Sequence, residues 1–295
     1  MSSTSVTVAP ERFPALSDPR PRGRRLRLPF SAWHLLLAPV AAVMMVPLVW
    51  MVIVSLETKT QAQSFPPVLV PSSLHFSNYT DAWNTVPFGA FFVNSALYSL
   101  ATVAGNLLFC SLAAYAFARI RFFGSNVLFV VLLATLMVPY QVLLIPTFLI
   151  VKKLGLVDSV GGLIMPNLCS AFGIFMLRQF FRTLPIELEE AARIDGTSRL
   201  GILFKIVLPL SKPALATLAI IQFMWSWNDF LWPLIIIDSS SHAPLQLGLS
   251  TLQGAHSTEW NLLMAGTVMS QIPMLVAFLF AQRWFVRSIA FTGIN

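Results

Sequence analysis

Residues 183–216 read TLPIELEEAARIDGTSRLGILFKIVLPLSKPALA. Glu187, Glu189, Glu190, Arg193, Asp195 and Arg199 crowd into one short part of this stretch, in a chain that is only 11% charged and 56% hydrophobic. A soluble domain carries about 25% charge. The stretch is thus a polar island, and what surrounds it sets the fold. Runs free of Lys, Arg, Asp and Glu occupy 28–56, 82–118, 122–151, 159–177, 213–228 and 260–282. About 20 apolar residues cross ~30 Å of hydrocarbon. Each run therefore hosts one crossing, the fifth by extending through Asp229 to Ile237. The spacing predicts an all-α polytopic membrane protein with spans near 35–56, 92–116, 126–146, 161–180, 213–237 and 262–282. Residues 1–30, rich in Ser, Pro and Arg, read as a disordered tail ahead of a membrane domain over 31–295. The apolar core of the first span exceeds the 7–15 residues of a cleaved signal, so it is expected to remain as a helix.

With six spans both termini share one side. That side collects Arg12, Arg20, Arg22, Arg24, Arg25 and Arg27 from the tail, then Arg119 and Arg121. It also holds Arg178, Arg182, Arg193, Arg199, Lys205, Lys212, Arg283 and Arg287, against only Lys59, Lys152 and Lys153 opposite. Cytoplasmic loops carry the excess of Lys and Arg, so the termini and the 183–210 loop are expected in the cytoplasm. The net charge of +7 is then an orientation signal and not a nucleic-acid footprint, which needs a folded basic surface. Cys110 and Cys169 fall within predicted spans and read as buried small hydrophobes, not as a disulfide.

Within the loop, Thr183 can cap a helix and Pro185 suits its first turn. Glu187, Glu189 and Glu190 lie where the helix dipole favours acid, and Glu189 with Arg193 makes an i,i+4 pair. Leu188, Ala191, Ala192 and Ile194 form an apolar side, and Gly196 stops the helix. Thr197 or Ser198 can cap a second helix, with Leu200, Leu203, Phe204 and Val207 on its apolar side and Pro209 at its end. Two short helices at a glycine elbow, with adjacent alanines that admit close approach, have the shape of a plug. The other reading is an amphipathic loop lying on the membrane.

The loop also carries a resemblance. Glu190-Ala191-Ala192, three residues, Gly196, nine residues, Ile206, one residue, then Leu208-Pro209 is similar to the EAA signature of importer permeases. The chain resembles membrane subunits of bacterial ATP-binding-cassette uptake systems of the carbohydrate branch, the second permease of maltose and glycerol-phosphate type. NYTDAW (78–83), NSALYSL (94–100), AAYAFARIRFFG (113–124), LMVPYQVLLIP (136–146), WNDFLWPL (227–234) and QRWFV (282–286) agree. Where the family's tail carries a Gly-Lys stretch, this one reads FTGIN (291–295). The resemblance implies a type I importer permease fold in the bacterial cytoplasmic membrane, with residues 183–210 as a coupling loop. It implies a second permease, two ATPase subunits and an extracytoplasmic solute-binding protein as partners, in contact with lipid and without nucleic acid. ATP and Mg are then held by the ATPase, and this chain binds no cofactor and catalyses nothing. Glu190 is expected to supply the polar contact, Ala191 and Ala192 the close fit, and Asp195 and Gly196 the elbow. Leu203, Phe204, Ile206, Leu208 and Pro209 are expected to tie the loop to the membrane core.

No G-x-x-x-x-G-K-[ST], H-E-x-x-H or G-x-S-x-G motif occurs, and His34, His75, His242 and His256 lack metal-ligand spacing. Asp229 is the one acidic residue inside a predicted span, roughly 24 Å up the fifth helix from Pro213. An intramembrane carboxylate is a functional candidate, or a hydrogen-bonding link between helices. Trp225, Trp227 and Trp232 can stack on sugar rings or form an interfacial belt. Asn94, Asn106, Gln141, Asn167, Gln222, Asn228 and Gln271 are uncharged groups suited to a neutral sugar. Pro39, Pro47, Pro139, Pro146, Pro166, Pro233 and Pro273 can kink helices along a pathway, or reflect packing alone. The competing function is a self-sufficient secondary transporter using Asp229, which calls for midplane charge pairs and repeat symmetry that the sequence does not display.

Overall fold

A computed structural model of the chain describes residues 32–254 and 258–292. The tail over 1–30, His256 and the terminal Gly293-Ile294-Asn295 lie outside the described residues. Among the described residues the secondary structure is helical, with a single isolated bridge between Gln253 and Thr258. The elements in order are α1 (Ala32–Ser55), α2 (Lys59–Ala62), α3 (Ser77–Thr85), α4 (Phe88–Arg119), α5 (Ser125–Thr135), α6 (Tyr140–Lys153) and α7 (Val160–Ile164). They continue with α8 (Ala171–Thr183), α9 (Glu187–Ile194), α10 (Arg199–Ile202), α11 (Leu208–Leu210), α12 (Lys212–Trp227), α13 (Leu231–Ile236), α14 (Leu245–Ser250) and α15 (Trp260–Thr292). Met1–Val46 and Pro47–Asn295 are separate compact units. The described part of the first is the N-terminal half of α1, with Leu35, Val43 and Met44 exposed.

Leu35–Ser55, Phe88–Arg119 and Trp260–Phe280 are long and apolar enough to cross a membrane unaided. Three further pairs qualify when each bent pair counts as one crossing, which gives six. Ser125–Thr135 and Tyr140–Lys153 meet at 104°, at a break that ends on Pro139. Proline disfavours helix at the residue before it and donates no N–H. Val160–Asn167 and Ala171–Thr183 meet at 43°. Arg199–Leu210 and Lys212–Trp227 meet at 82° around Ser211. The fifth span therefore differs from the continuous helix expected over 213–237. It stops at Trp227, breaks over residues 228–230, and restarts as α13. Between α1 and α4 the short helices α2 and α3 flank a non-helical stretch over 63–76 that contains Pro66, Pro67 and Pro71.

α4 is the central helix, packed by α8 and α12. Its buried positions include Phe91, Ser95, Tyr98, Ser99, Thr102, Gly105 and Asn106, while Val93, Leu97, Leu100 and Leu108 are exposed. This is the inverse of a soluble amphipathic helix. Lipid accepts leucine as readily as a protein core does, so small and polar residues mark the packed face. Gly105 lies where a side chain would collide with Leu168, and Ser95 Oγ accepts a hydrogen bond from Leu245 N at 2.7 Å. Two apolar clusters result. One gathers Phe88, Phe91, Trp227, Trp232 and Leu245, and the other Tyr115, Leu177, Phe181, Ile202, Leu203 and Leu218.

Candidate functional site

Two places bring together residues that the sequence singles out. The first is the loop around α9. Ile186, not Thr183, is the N-cap residue, without a side-chain bond; Thr183 closes α8 instead. α9 ends in a paired backbone cap, in which Thr197 N donates to Ala192 O at 2.9 Å and Gly196 N to Arg193 O at 3.0 Å. This cap needs a left-handed residue after the helix, and Gly196 has φ +78°. Ser198 caps α10 by accepting from Gly201 N.

Glu189 does not pair with Arg193. Its carboxylate is buried, accepting from Arg119 Nε at 2.6 Å and from Tyr115 Oη at 3.2 Å. Arg119 also donates to Leu184 O at 2.7 Å, so the last turn of α4 clamps both ends of the α8–α9 junction. Burying Glu189 fixes the roll of α9. Ala192 packs half-buried on the second cluster, while Glu187, Glu190, Ala191 and Ile194 face outwards, Ile194 at 87% exposure.

The second helix does not end at Pro209. It runs through a π-helical turn over Leu203–Val207 and on to Leu210. Proline presses on the carbonyl four residues back and lacks a donor, and a widened turn accommodates both. Leu203 and Val207 are buried, whereas Leu200 and Phe204 are exposed, not inward-facing as their spacing suggested. Ile206 and Leu208 are half-buried, and Asp195 and Pro209 exposed.

The second place is a cavity of about 620 Å³. Its walls come from α4 (Tyr98), the start of α6 (Tyr140), the α7–α8 break (Asn167, Cys169, Ser170) and the end of α12 (Gln222, Trp225, Asn228, Asp229). Asp229 sits in the break before α13. Its Oδ1 accepts from Trp232 N at 3.3 Å and its Oδ2 from Tyr98 Oη at 2.8 Å. Asn167 Nδ2 donates to Tyr98 Oη and to Leu163 O, each at 3.1 Å. Trp225 is 56% exposed.

The description "binding-protein-dependent transport system inner membrane component" matches residues 106–291. The chain belongs to that family. It is a multi-pass permease subunit of an ATP-binding-cassette import system, and ATP hydrolysis is the task of separate subunits. It is 38% identical over 263 residues to the sn-glycerol-3-phosphate transport system permease protein UgpE of Pectobacterium atrosepticum, covering 86% of this chain and 93% of that one. It is 35% identical over 277 residues to the arabinooligosaccharides transport system permease protein AraQ of Halalkalibacterium halodurans, covering 92% and 99%. A crystal structure of a bacterial ABC transporter involved in the import of the acidic polysaccharide alginate superposes with a TM-score of 0.74 at 26% identity, over 87% of this chain and 99% of that chain. This membership removes the self-sufficient secondary transporter.

Of the permease residues expected on a substrate path, Asn167, Gln222, Trp225, Asn228 and Asp229 share the cavity. Asn94 and Gln141 do not. Asn94 Nδ2 donates to Ser241 O and Ala243 O as a helix-to-loop tie, and Gln141 is exposed outside the cavity. Asn106 binds Asn167 O and Ser170 Oγ. Trp227 and Trp232 are core residues, with ring N–H groups on Ser270 O at 3.0 Å and Gly162 O at 3.2 Å. Cys110 is buried, but Cys169 is exposed on the cavity wall and not buried as its position in a span suggested. Sequence reasoning missed Tyr98 and Tyr140.

Proposed function

We propose that the chain forms half of the pathway for a sugar or sugar-like solute delivered by an extracytoplasmic binding protein. In this reading a second permease supplies the other half, and two ATPase subunits, holding ATP and Mg, drive the cycle. Both termini and the α8–α10 loop face the cytoplasm, where α9 seats in a cleft of an ATPase subunit. The observation that carries the reading is the clamp on Glu189. It turns Glu190, Ala191 and Ile194 outwards on a helix rigidly joined to α4, as a coupling element needs. Ala192 and Leu203 transmit the push through the second cluster, and Gly196 sets the angle between α9 and α10. Asp195, Phe204, Ile206, Leu208 and Pro209 complete the loop, and the Asp229 cavity lies on the solute path.

The fit with the relatives' named cargoes, a glycerol phosphate and arabinooligosaccharides, supports a sugar-like solute. The test uses the whole importer with Ala191→Cys. A bifunctional thiol reagent is expected to join Cys at 191 to the ATPase subunit, and uptake of an arabinooligosaccharide to stop when that ATPase is disabled. Cross-linking to the binding protein instead would reverse the orientation.

A further inference from the structure

We propose that the Asp229 cavity admits uncharged sugars and rejects anionic ones, with Asp229 as the specificity-determining residue. The inference rests on the reading of this cavity as part of the solute path. It starts from the direction of four hydrogen bonds. Asn167 Nδ2 also donates to Leu163 O, which identifies that atom as the amide nitrogen, a donor only. Tyr98 Oη therefore accepts from Asn167, and its own hydrogen points to Asp229 Oδ2. Oδ1 takes the Trp232 N–H. Both carboxyl oxygens thus act as acceptors, and Oδ2, with the Tyr98 hydroxyl as its one protein donor, can accept from a ligand hydroxyl as well.

No cationic side chain faces this carboxyl. No Lys, Arg or His lines the cavity, and among the described residues no cation lies within ion-pair distance of Asp229. The remaining polar groups, Gln222, Asn228 and Tyr140, are uncharged donors and acceptors, and Trp225 offers an open ring face. Hydroxyls of a neutral sugar can donate to Asp229 while its C–H face lies on Trp225. A phosphate or uronate would bring its own negative charge up to this carboxyl between low-dielectric walls, with no cationic side chain in the lining to receive it. The volume of about 620 Å³ lies within the usual range for small-molecule sites. The relatives' cargoes differ on this point: sn-glycerol 3-phosphate and alginate are anionic, arabinooligosaccharides are not.

Cys169 on the same wall permits a test that is independent of the binding protein's own selectivity. In the complete importer carrying Cys110→Ser, Cys169 is treated with a cationic and an anionic methanethiosulfonate of similar size, each rate divided by that for a free thiol in solution. The cationic reagent is expected to be favoured by about tenfold, through focusing of the Asp229 field. Asp229→Asn should bring the ratio close to unity, and Asp229→Glu should preserve the preference. A wild-type ratio of one or below, or a ratio unchanged in Asp229→Asn, overturns the proposal. The underlying pathway reading is tested separately by uptake of arabinotriose after complete modification of Cys169. Blocked uptake supports it, and full uptake overturns it whatever the charge ratio.

Discussion

Arg119 Nε lies 2.6 Å from Glu189 Oε1, with both side chains nearly withdrawn from solvent. The pair joins the end of the central helix α4 to α9, which no other ion pair among the described residues does. Removing one partner of a buried pair leaves the other charge uncompensated. Glu189→Ala is therefore expected to cost about 3 kcal/mol. Glu190→Ala, one residue on and exposed, should stay within about 0.5 kcal/mol of wild type yet lose transport. Thermal unfolding of the purified importer and uptake assays on both variants check this split. Equal destabilisation by the two would sink it.

Ala192 rests half-buried on the second cluster beside the outward face of α9. A large side chain there must lift α9 from its bed or obstruct whatever docks on it. Ala192→Trp is expected to abolish uptake while the ATPase subunits still co-purify. Normal uptake with bound ATPase would refute the prediction.

Gly196 adopts φ +78° with open space around its Cα. The cost of a side chain there is backbone strain alone, about 1–2 kcal/mol for the left-handed conformation. Gly196→Asn should lose less than Gly196→Val, because Asn tolerates this region and β-branched residues do not. Unfolding temperatures of the two variants decide it.

The uncharged runs were legible because hydrocarbon imposes a length that sequence cannot hide. Gly196 was legible because few residues tolerate its conformation. The partner of Glu189 was not, since Arg119 is 70 positions away and Arg193 offered a local alternative. The three tryptophans of WSWNDFLW are alike in type but not in role. The break after Trp227 resets the helical phase, so Trp225 opens to the cavity while Trp232 turns into the core. Tyr98 was missed because an aromatic residue in an apolar run reads as packing. Its phase with Ser95, Thr102 and Asn106 on the polar face of α4 was the available signal.

Trp225 and Trp232 should accordingly separate by assay. Trp225→Ala removes an exposed ring from the cavity wall and is expected to lower uptake several-fold with little loss of stability. Trp232→Phe removes the donor to Gly162 O at 3.2 Å, leaves that carbonyl unpaired in the core, and should cost about 1–3 kcal/mol. A stability loss in the first variant larger than in the second would contradict the assignment.

Asp158 provides a pH-dependent tie between two connecting segments. Its Oδ1 accepts from Ser239 N at 3.0 Å, Ser239 Oγ at 2.9 Å and Asp238 N at 3.1 Å, which pins the α6–α7 turn to the segment after α13. The Ser239 bonds above all, assisted by Asp238 N and the nearby His242, hold the carboxyl below the usual Asp range. A depressed folded-state pKa means that the ionised form favours the folded state. The contribution is complete above the unfolded value of about 3.9 and fades as pH falls through the lower folded value. Asp158→Asn should therefore lower the unfolding temperature near neutral pH, and its gap from wild type should close on acidification. A gap that stays constant, or widens, as the pH is lowered would show that the charge of Asp158 contributes nothing to this tie.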